Sequence, residues 1–302
     1  MKVAVTGSHG LIGSALVEAL ARQGDEVTRV VRSQAGPGDV QWDPNQGQIG
    51  AEGLEGHDAV VHLAGVGIGD RRWTESQKRA VLDSRVQGTR LVAQTLAGLA
   101  RPPRVLASAS AIGFYGDRGD EVLTEESAPG SGFLTEVVQQ WEAATSVAED
   151  AGIRVVRFRS GLVLSAEGGA LKPQLLPFRL GLGGRIGSGR QWWSWISIDD
   201  EVGAIGHALV DDSLRGPLNL TAPEPVTNAE FAKTLGKVVG RPAILPVPVP
   251  ALKLVFGKEM VQEMFLAGQR VAPEGLERSG YRFRHLRLED ALRQLLGRPT
   301  KG

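Results

Sequence analysis

The sequence predicts an α/β fold, a doubly wound parallel sheet with helices on both faces and a smaller, mostly helical carboxyl-terminal lobe. Three observations carry that prediction. Short runs rich in Val and Leu alternate with helix-like stretches through the first half, the pattern of strands buried on both faces and joined by crossover helices. The first strand runs straight into Gly7, Gly10 and Gly13 and then into an amphipathic helix. Beyond Ser160 the alternation gives way to glycine-, tryptophan- and proline-rich stretches, which mark a second lobe.

Taken in order, strands are expected at 2–6, 26–31, 58–63, 104–108 and 154–158, with helices near 11–23, 75–100 and 134–150. Ile12, Leu16 and Leu20 give the first helix its apolar face. The segment 35–54 carries Gly, Pro, Asn and Gln without helical periodicity and reads as a loop. Further on, the tryptophan run of 191–200 reads as a strand delivering Asp199 to a helix start, and 217–220 as another short strand. Thr227 and Glu230 form a capping box. The prolines from 242 to 250 make a stiff connector, followed by helices near 252–266 and 288–296. This divides the chain into a dinucleotide-binding domain, 1–165 with 193–220 returning to it, and a smaller lobe of 166–192 and 221–302.

The 302 residues are 42% hydrophobic, enough for one large core with an added lobe. Thirty-four basic and thirty-four acidic side chains cancel, so no global field recruits nucleic acid or an anionic membrane. The absence of cysteine excludes disulfides, thiolate zinc sites and a cysteine nucleophile, and five scattered histidines lack ligand spacing, so no metal is expected. No signal-peptide order and no run of about 20 apolar residues appears. A cytoplasmic protein is expected, with a small-molecule substrate and neither nucleic acid nor membrane as partner; a homodimer is left open.

The glycine triad points to a dinucleotide. Gly7 permits the turn out of the strand, Gly10 clears the backbone for a pyrophosphate, and Gly13 lets the helix pack close to the sheet. The amino end of the helix, with Leu11 and Ile12, then faces the phosphates. The second strand ends in Arg32 and Ser33, where an NAD site carries an acid. A guanidinium there can grip a 2′-phosphate, so NADP(H) is the expected cofactor.

Gly7-x-x-Gly10-x-x-Gly13, Val60-Val-His-Leu-Ala-Gly65 and Ala107-Ser-Ala-Ser110-Ala-Ile-Gly-Phe-Tyr-Gly116 together resemble the extended short-chain dehydrogenase/reductase superfamily of epimerases and dehydratases. Tyr115-Gly-Asp-Arg-Gly-Asp-Glu121, Gly132-Phe-Leu-Thr-Glu136, Trp195-Ile-Ser-Ile-Asp199, Arg270-Val-Ala-Pro and Gly280-Tyr-Arg-Phe narrow the likeness to its atypical epimerase-family proteins that carry a carboxyl-terminal domain of unknown function. The resemblance implies a Rossmann-type sheet and adds Leu63, Ala64, Gly65 and Ser108 to the cofactor-binding residues. It also implies a Ser and a Tyr-x-x-x-Lys pair as the chemical groups, with Ser110 matching the serine. The tyrosine and lysine positions hold Phe133 and Val137, and no Tyr-x-x-x-Lys exists anywhere in the chain.

A hydride transfer to a carbonyl still needs a proton donor within hydrogen-bond reach. Ser110, Tyr115 and Glu136 are the catalytic candidates, with Asp117, Asp120 and Glu121 nearby as acids that serve equally well as turn formers. His62 reads as a strand histidine rather than a base. Strand alternation puts Trp193 and Trp195 on one face and Trp192 and Ser194 on the other. Trp195 and Arg190 are the candidate substrate-pocket residues. The resemblance places Arg85 toward the nicotinamide side, although a helix-surface charge fits it equally. Two functions compete: an NADP-dependent oxidoreductase or epimerase-like enzyme acting on a small substrate with a non-standard proton donor, and a catalytically silent NADP(H)-binding sensor or interaction module.

Overall fold

The structure is a computed structural model and describes residues 1–33 and 35–299. Its centre is an eight-stranded sheet in the spatial order 216–220, 154–160, 105–111, 59–62, 2–6, 26–31, 40–43 and 48–49. All neighbours are parallel except the last pair, a hairpin between Val40–Asp43 and Gln48–Ile49. That hairpin corrects the loop expected over 35–54. It forms because Val40 and Trp42 alternate inward and bury against the sheet, an alternation of two residues too short to stand out in the sequence.

Alternation along the central strands feeds two cores. Val3, Val5, Val105, Ala107, Val156 and Phe158 pack on one face, beneath helices Leu11–Arg22 and Ile198–Val210. Ala4, Val60, Leu106 and Val155 pack on the other, beneath helix Glu75–Ala97. The helix expected over 134–150 is two, Phe133–Ala143 and Ser146–Asp150. The Thr145 hydroxyl donates to the carbonyl of Glu142 at the break, the local competition that disfavours threonine inside helices.

Strand Gly216–Leu220 closes one edge of the main sheet, while Trp195–Ser197 pairs with Leu162–Leu164 outside it. A further cluster joins Trp193, Trp195, Phe231, Leu235 and Leu292 across helices Asn228–Val239 and Leu288–Leu295. The helix expected over 252–266 is interrupted: Val249–Phe256 ends at Gly257, whose φ of 91° breaks the helix, and Val261–Leu266 winds as a π-helix. Among the described residues no helix is long and apolar enough to cross a membrane.

The tail is clamped to the sheet by one buried carboxylate. Asp200 accepts hydrogen bonds from the Ser197 hydroxyl and from the amides of Arg284 and His285, with the Tyr281 hydroxyl 3.2 Å away. Burial works against its charge, but the bonds from His285, Arg284 and Ser197 outweigh burial and hold its pKa below the usual carboxylate value. The contribution is therefore present above pH 4 and lost as pH falls through the depressed native value. Asp200→Asn should cost about 1–3 kcal/mol at pH 7, because the neutral amide no longer accepts from every one of the buried Ser197, Arg284 and His285 donors. Urea unfolding of both proteins measures it, and a loss under 1 kcal/mol would show the clamp to be dispensable.

Candidate active site

The strand order reverses beside Lys2–Thr6, whose neighbours are Ala59–His62 on one side and Glu26–Val31 on the other. Such a reversal opens a crevice at the carboxyl ends of the strands. A cleft of about 730 Å³ lies there, lined by Gly7, Ser8, His9 and Gly10 after the first strand, Arg32 and Ser33 after the second, and Leu63, Ala64 and Gly65 after the fifth. Gly7 has a φ of 65°, and a Cβ on it would meet the Leu63 carbonyl carbon at 2.8 Å. Around Gly10 a Cβ would meet only the Gly7 oxygen, at 3.2 Å, so its open side belongs to the cleft. Gly13 is a packing residue, since a Cβ there would press on the backbone of Gly7 and Ser8. Helix Leu11–Arg22 has no acid in its first turn and no side chain capping its amino end.

Seven of the expected cofactor residues thus share one wall, and four take other places. Gly13 and Ile12 pack inward against the core, and Leu11 lies against Gly168 and Gly169. Ser108 is buried with its hydroxyl on the Ala109 carbonyl. Trp42, Asp39 and Ser84 join the cleft without having been marked in the sequence. They come from the short hairpin, the loop before it and the face of a long helix, where no local motif points to a ligand.

A second cleft, of about 160 Å³, adjoins the first. Val66 and Ser84 border the one, Ile68 and Arg85 the other. Its wall is mostly apolar, including Ala111, Ile112, Leu134, Val137, Trp141 and Trp192, with Ser160, Ser194, Glu263 and Gln269 as polar members.

None of the three catalytic candidates faces either cleft. Ser110 shares the parity of Leu106 on its strand and points beneath helix Phe133–Ala143, donating to Glu142 at 2.6 Å; Ala111, one residue on, lines the second cleft instead. The Tyr115 side chain is 0% exposed, donates to Asn219 at 2.7 Å and accepts from Arg159 at 3.1 Å. Burial, opposed by Arg159, raises its pKa, so it is a structural phenol. Glu136 lies on the exposed side of its helix. The substrate-pocket residues separate as well. Trp195 is fully buried in the carboxyl-terminal core, donating to the Glu224 carbonyl, and Arg190 borders a different surface cleft beside Asp117 and Asp120. The alternation itself holds, for Trp193 and Trp195 share one core, and Trp192 is the half-buried tryptophan, hydrogen-bonded to Asp120.

Three titratable groups lie buried near the clefts: His62, read from the sequence as a strand histidine, Arg85, left undecided there, and Glu201, which the sequence did not single out. His62 is buried between Thr6 and Trp42, and burial lowers its pKa to about 4, so it is neutral. Arg85 is 7% exposed, stacks on Trp141 and donates through Nη1 to the carbonyls of Val66 and Val81. Glu201 is buried behind Ser160, whose hydroxyl donates to it at 2.6 Å. Burial raises this carboxyl to about 8, which keeps it protonated through neutral pH. No sequence signal distinguishes Glu201 from the other acids of its helix start, because its depth depends on how that helix sits on the sheet.

Residues 3–219 match the NAD dependent epimerase/dehydratase family, and residues 247–295 match a domain of unknown function, DUF1731. The chain belongs to the epimerase/dehydratase family. Within it, the chain is 44% identical over 300 residues to the epimerase family protein Mb2239 of Mycobacterium bovis, covering 98% of each. It is 40% identical to the human epimerase family protein SDR39U1 over 98% of this chain and 100% of the relative. The crystal structure of human SDR39U1 with NADPH superimposes with a TM-score of 0.91, covering 98% of this chain and 99% of that one. A nucleoside-diphosphate sugar epimerase from Corynebacterium glutamicum gives a TM-score of 0.82 at 40% identity, covering 98% of this chain and 58% of that one. For this family member the DUF1731 segment supplies Glu263, Met264, Ala267 and Gln269 to the second cleft.

A carboxyl whose native pKa is raised stabilises the fold below its unfolded value and loses that contribution as pH climbs toward the native one. Glu201 should therefore make stability fall between pH 4.5 and about 8, by up to about 1.4 kcal/mol per pH unit. Glu201→Gln should remove that slope and be the more stable protein at pH 8.5. Urea midpoints across this range, parallel for the two proteins, would contradict it.

Proposed function

We propose that this family member is an NADP(H)-dependent oxidoreductase acting on a small substrate, with a proton donor other than the tyrosine of its superfamily. The observation that carries this reading is the adjoining pair of clefts, one shaped for a dinucleotide and one mostly apolar and backed by a protonated acid. The residues present fit the cofactor. Gly10 leaves open the space that a Cβ would fill, the amides opening helix Leu11–Arg22 have no capping side chain, and Arg32 and Ser33 stand on the rim. Asp39, the acid on the same rim, accepts from the Gly36 amide. The human relative crystallised with NADPH supports the same choice.

In this reading Gly7 and Gly10 admit the pyrophosphate, Arg32 pairs with the 2′-phosphate and Ser33 donates to it. The bound dinucleotide supplies a hydride. Ser160, on the wall of the second cleft, turns its hydroxyl from Glu201 to the substrate oxygen, gives it that proton and takes one from the Glu201 carboxyl, which regains its proton from solvent once product leaves. Val137, Leu134 and Trp141 exclude water around them.

The alternative, a catalytically silent NADP(H)-binding module, draws on Ala111, Phe133 and Val137, none of which can move a proton. Incubation with NADPH and a panel of small carbonyl compounds separates the two: consumption of NADPH that Ser160→Ala abolishes, with cofactor affinity intact, supports the enzyme.

NADPH should bind more tightly than NADH by about 10- to 100-fold, since a charge-assisted bond contributes about 1.5–3 kcal/mol. Arg32→Ala should erase most of the difference. Cofactor fluorescence titrations check both, and equal affinities in the unaltered protein would refute the assignment. With UDP-glucose and UDP-N-acetylglucosamine the protein should show negligible epimerisation, because the tyrosine and lysine are replaced by Phe133 and Val137. Robust turnover, followed by product chromatography, would overturn that expectation.

A further inference from the structure

The two most deeply buried arginines of the chain are treated differently. Arg159, 3% exposed, meets Glu142 in two bonds of 2.8 Å. Arg85, 7% exposed, has no carboxylate partner among the described residues; carbonyls take up its Nη1, and its Nε has no partner among those residues. Burial alone lowers its pKa, to about 10, so it remains a cation at neutral pH. A buried, unpaired guanidinium is costly, and a site that tolerates one is built to receive an anion.

The other polar side chains of the second cleft offer an anion no positive charge. Ser160, Ser194 and Gln269 carry none at all: Ser160, backed by Glu201, is the neutral proton donor of the proposed reaction, Ser194 bridges the Gln269 carbonyl and the Val271 amide, and Gln269 donates to the Ile112 carbonyl. The Glu263 carboxylate is held by the amides of Phe133 and Leu134, so the one acid on the wall is bound away at a helix amino end. What remains is an apolar chamber of about 160 Å³ with a cation in its wall.

We infer that Arg85 receives the anionic group of the substrate, and that the substrate is a small, largely apolar organic carboxylate rather than a nucleotide sugar. Arg85 supplies the charge, and Trp141, Val137, Leu134 and Trp192 enclose the apolar remainder. A chamber of this volume accommodates one aromatic ring or a short branched chain. The inference deepens the oxidoreductase reading by naming the substrate class, and it rests on the second cleft being the substrate site.

Trp141 and Trp192 make the test direct, since both line the chamber. The full-length protein, saturated with NADPH, is titrated with two matched pairs of probes: benzoate against benzamide, and 3-methylbutanoate against 3-methylbutanamide. Tryptophan fluorescence and thermal shift are recorded. At least one carboxylate should bind tenfold or more tightly than its amide. Arg85→Gln should abolish the preference while leaving NADPH affinity within threefold, and Arg85→Lys should keep part of it. Equal binding within both pairs, or no binding by either carboxylate, overturns the proposal even if the variants do not fold. Loss of NADPH affinity in Arg85→Gln also overturns it, because the guanidinium would then serve the cofactor. If the unaltered protein fails to bind NADPH, the dinucleotide reading fails by itself, and the probe comparison is still read in its absence.

Discussion

The ion pair between Arg159 and Glu142 sits where five segments meet, and much of the site is arranged by what it consumes. Glu142 reaches it from helix Phe133–Ala143, Ser110 from the central strand, Tyr115 from the turn that follows, and Asn219 from the edge strand. Two charges this far from water are tolerated only when geometry is good and the remaining lone pairs are filled. Here the bidentate guanidinium, the serine hydroxyl and the phenol fill them. Phe114 lies under the same guanidinium at 3.4 Å, adding an aromatic face to the cation. The consequence is chemical as well as structural: the serine and tyrosine that the sequence offers as reactive groups are already spent.

With those groups turned under the helix, Ala111 and Val137 stand on the wall of the second cleft, and the hydroxyls that border it come from Ser160 and Ser194. Ser160 lies next to Arg159 in the chain but points the other way, to Glu201 beneath helix Ile198–Val210. Adjacent residues of one strand therefore serve two separate networks. One is ionised and fully paired. The other is a hydroxyl on a protonated carboxyl, which desolvation keeps neutral. A neutral acid next to an apolar chamber is suited to giving up a proton, whereas the salt-bridged carboxylate of Glu142 is not.

The carboxyl-terminal lobe completes this arrangement rather than decorating it. Its π-helix supplies Glu263 and Met264 to the chamber, and Glu263 also caps helix Phe133–Ala143, binding the lobe to the helix that lines the chamber with Leu134, Val137 and Trp141. Asp200 fixes the tail from the other direction through Tyr281, Arg284 and His285. The two attachments lie on opposite faces of the sheet, so the lobe that borders the chamber is held at both ends.

Local chemistry in the sequence determined the parallel sheet, the glycine-lined turn and the Arg32–Ser33 rim, because each depends on residues within one or two turns of chain. Gly7, Gly10 and Gly13 encode a turn and a helix start, and the Val-rich runs encode buried strands, without reference to distant partners. Side-chain direction at the ends of those strands was decided only by tertiary structure. Whether Ser110 or Ala111 meets the cleft turns on strand parity, and one residue of uncertainty reverses it. The hairpin at Val40–Ile49, the interruption at Gly257 and the depth of Trp195 likewise depend on neighbours far along the chain. Glu201 and Arg85 show the limit most clearly. A carboxyl becomes neutral and a guanidinium loses its counter-ion through burial and packing, which no pattern of adjacent residues specifies.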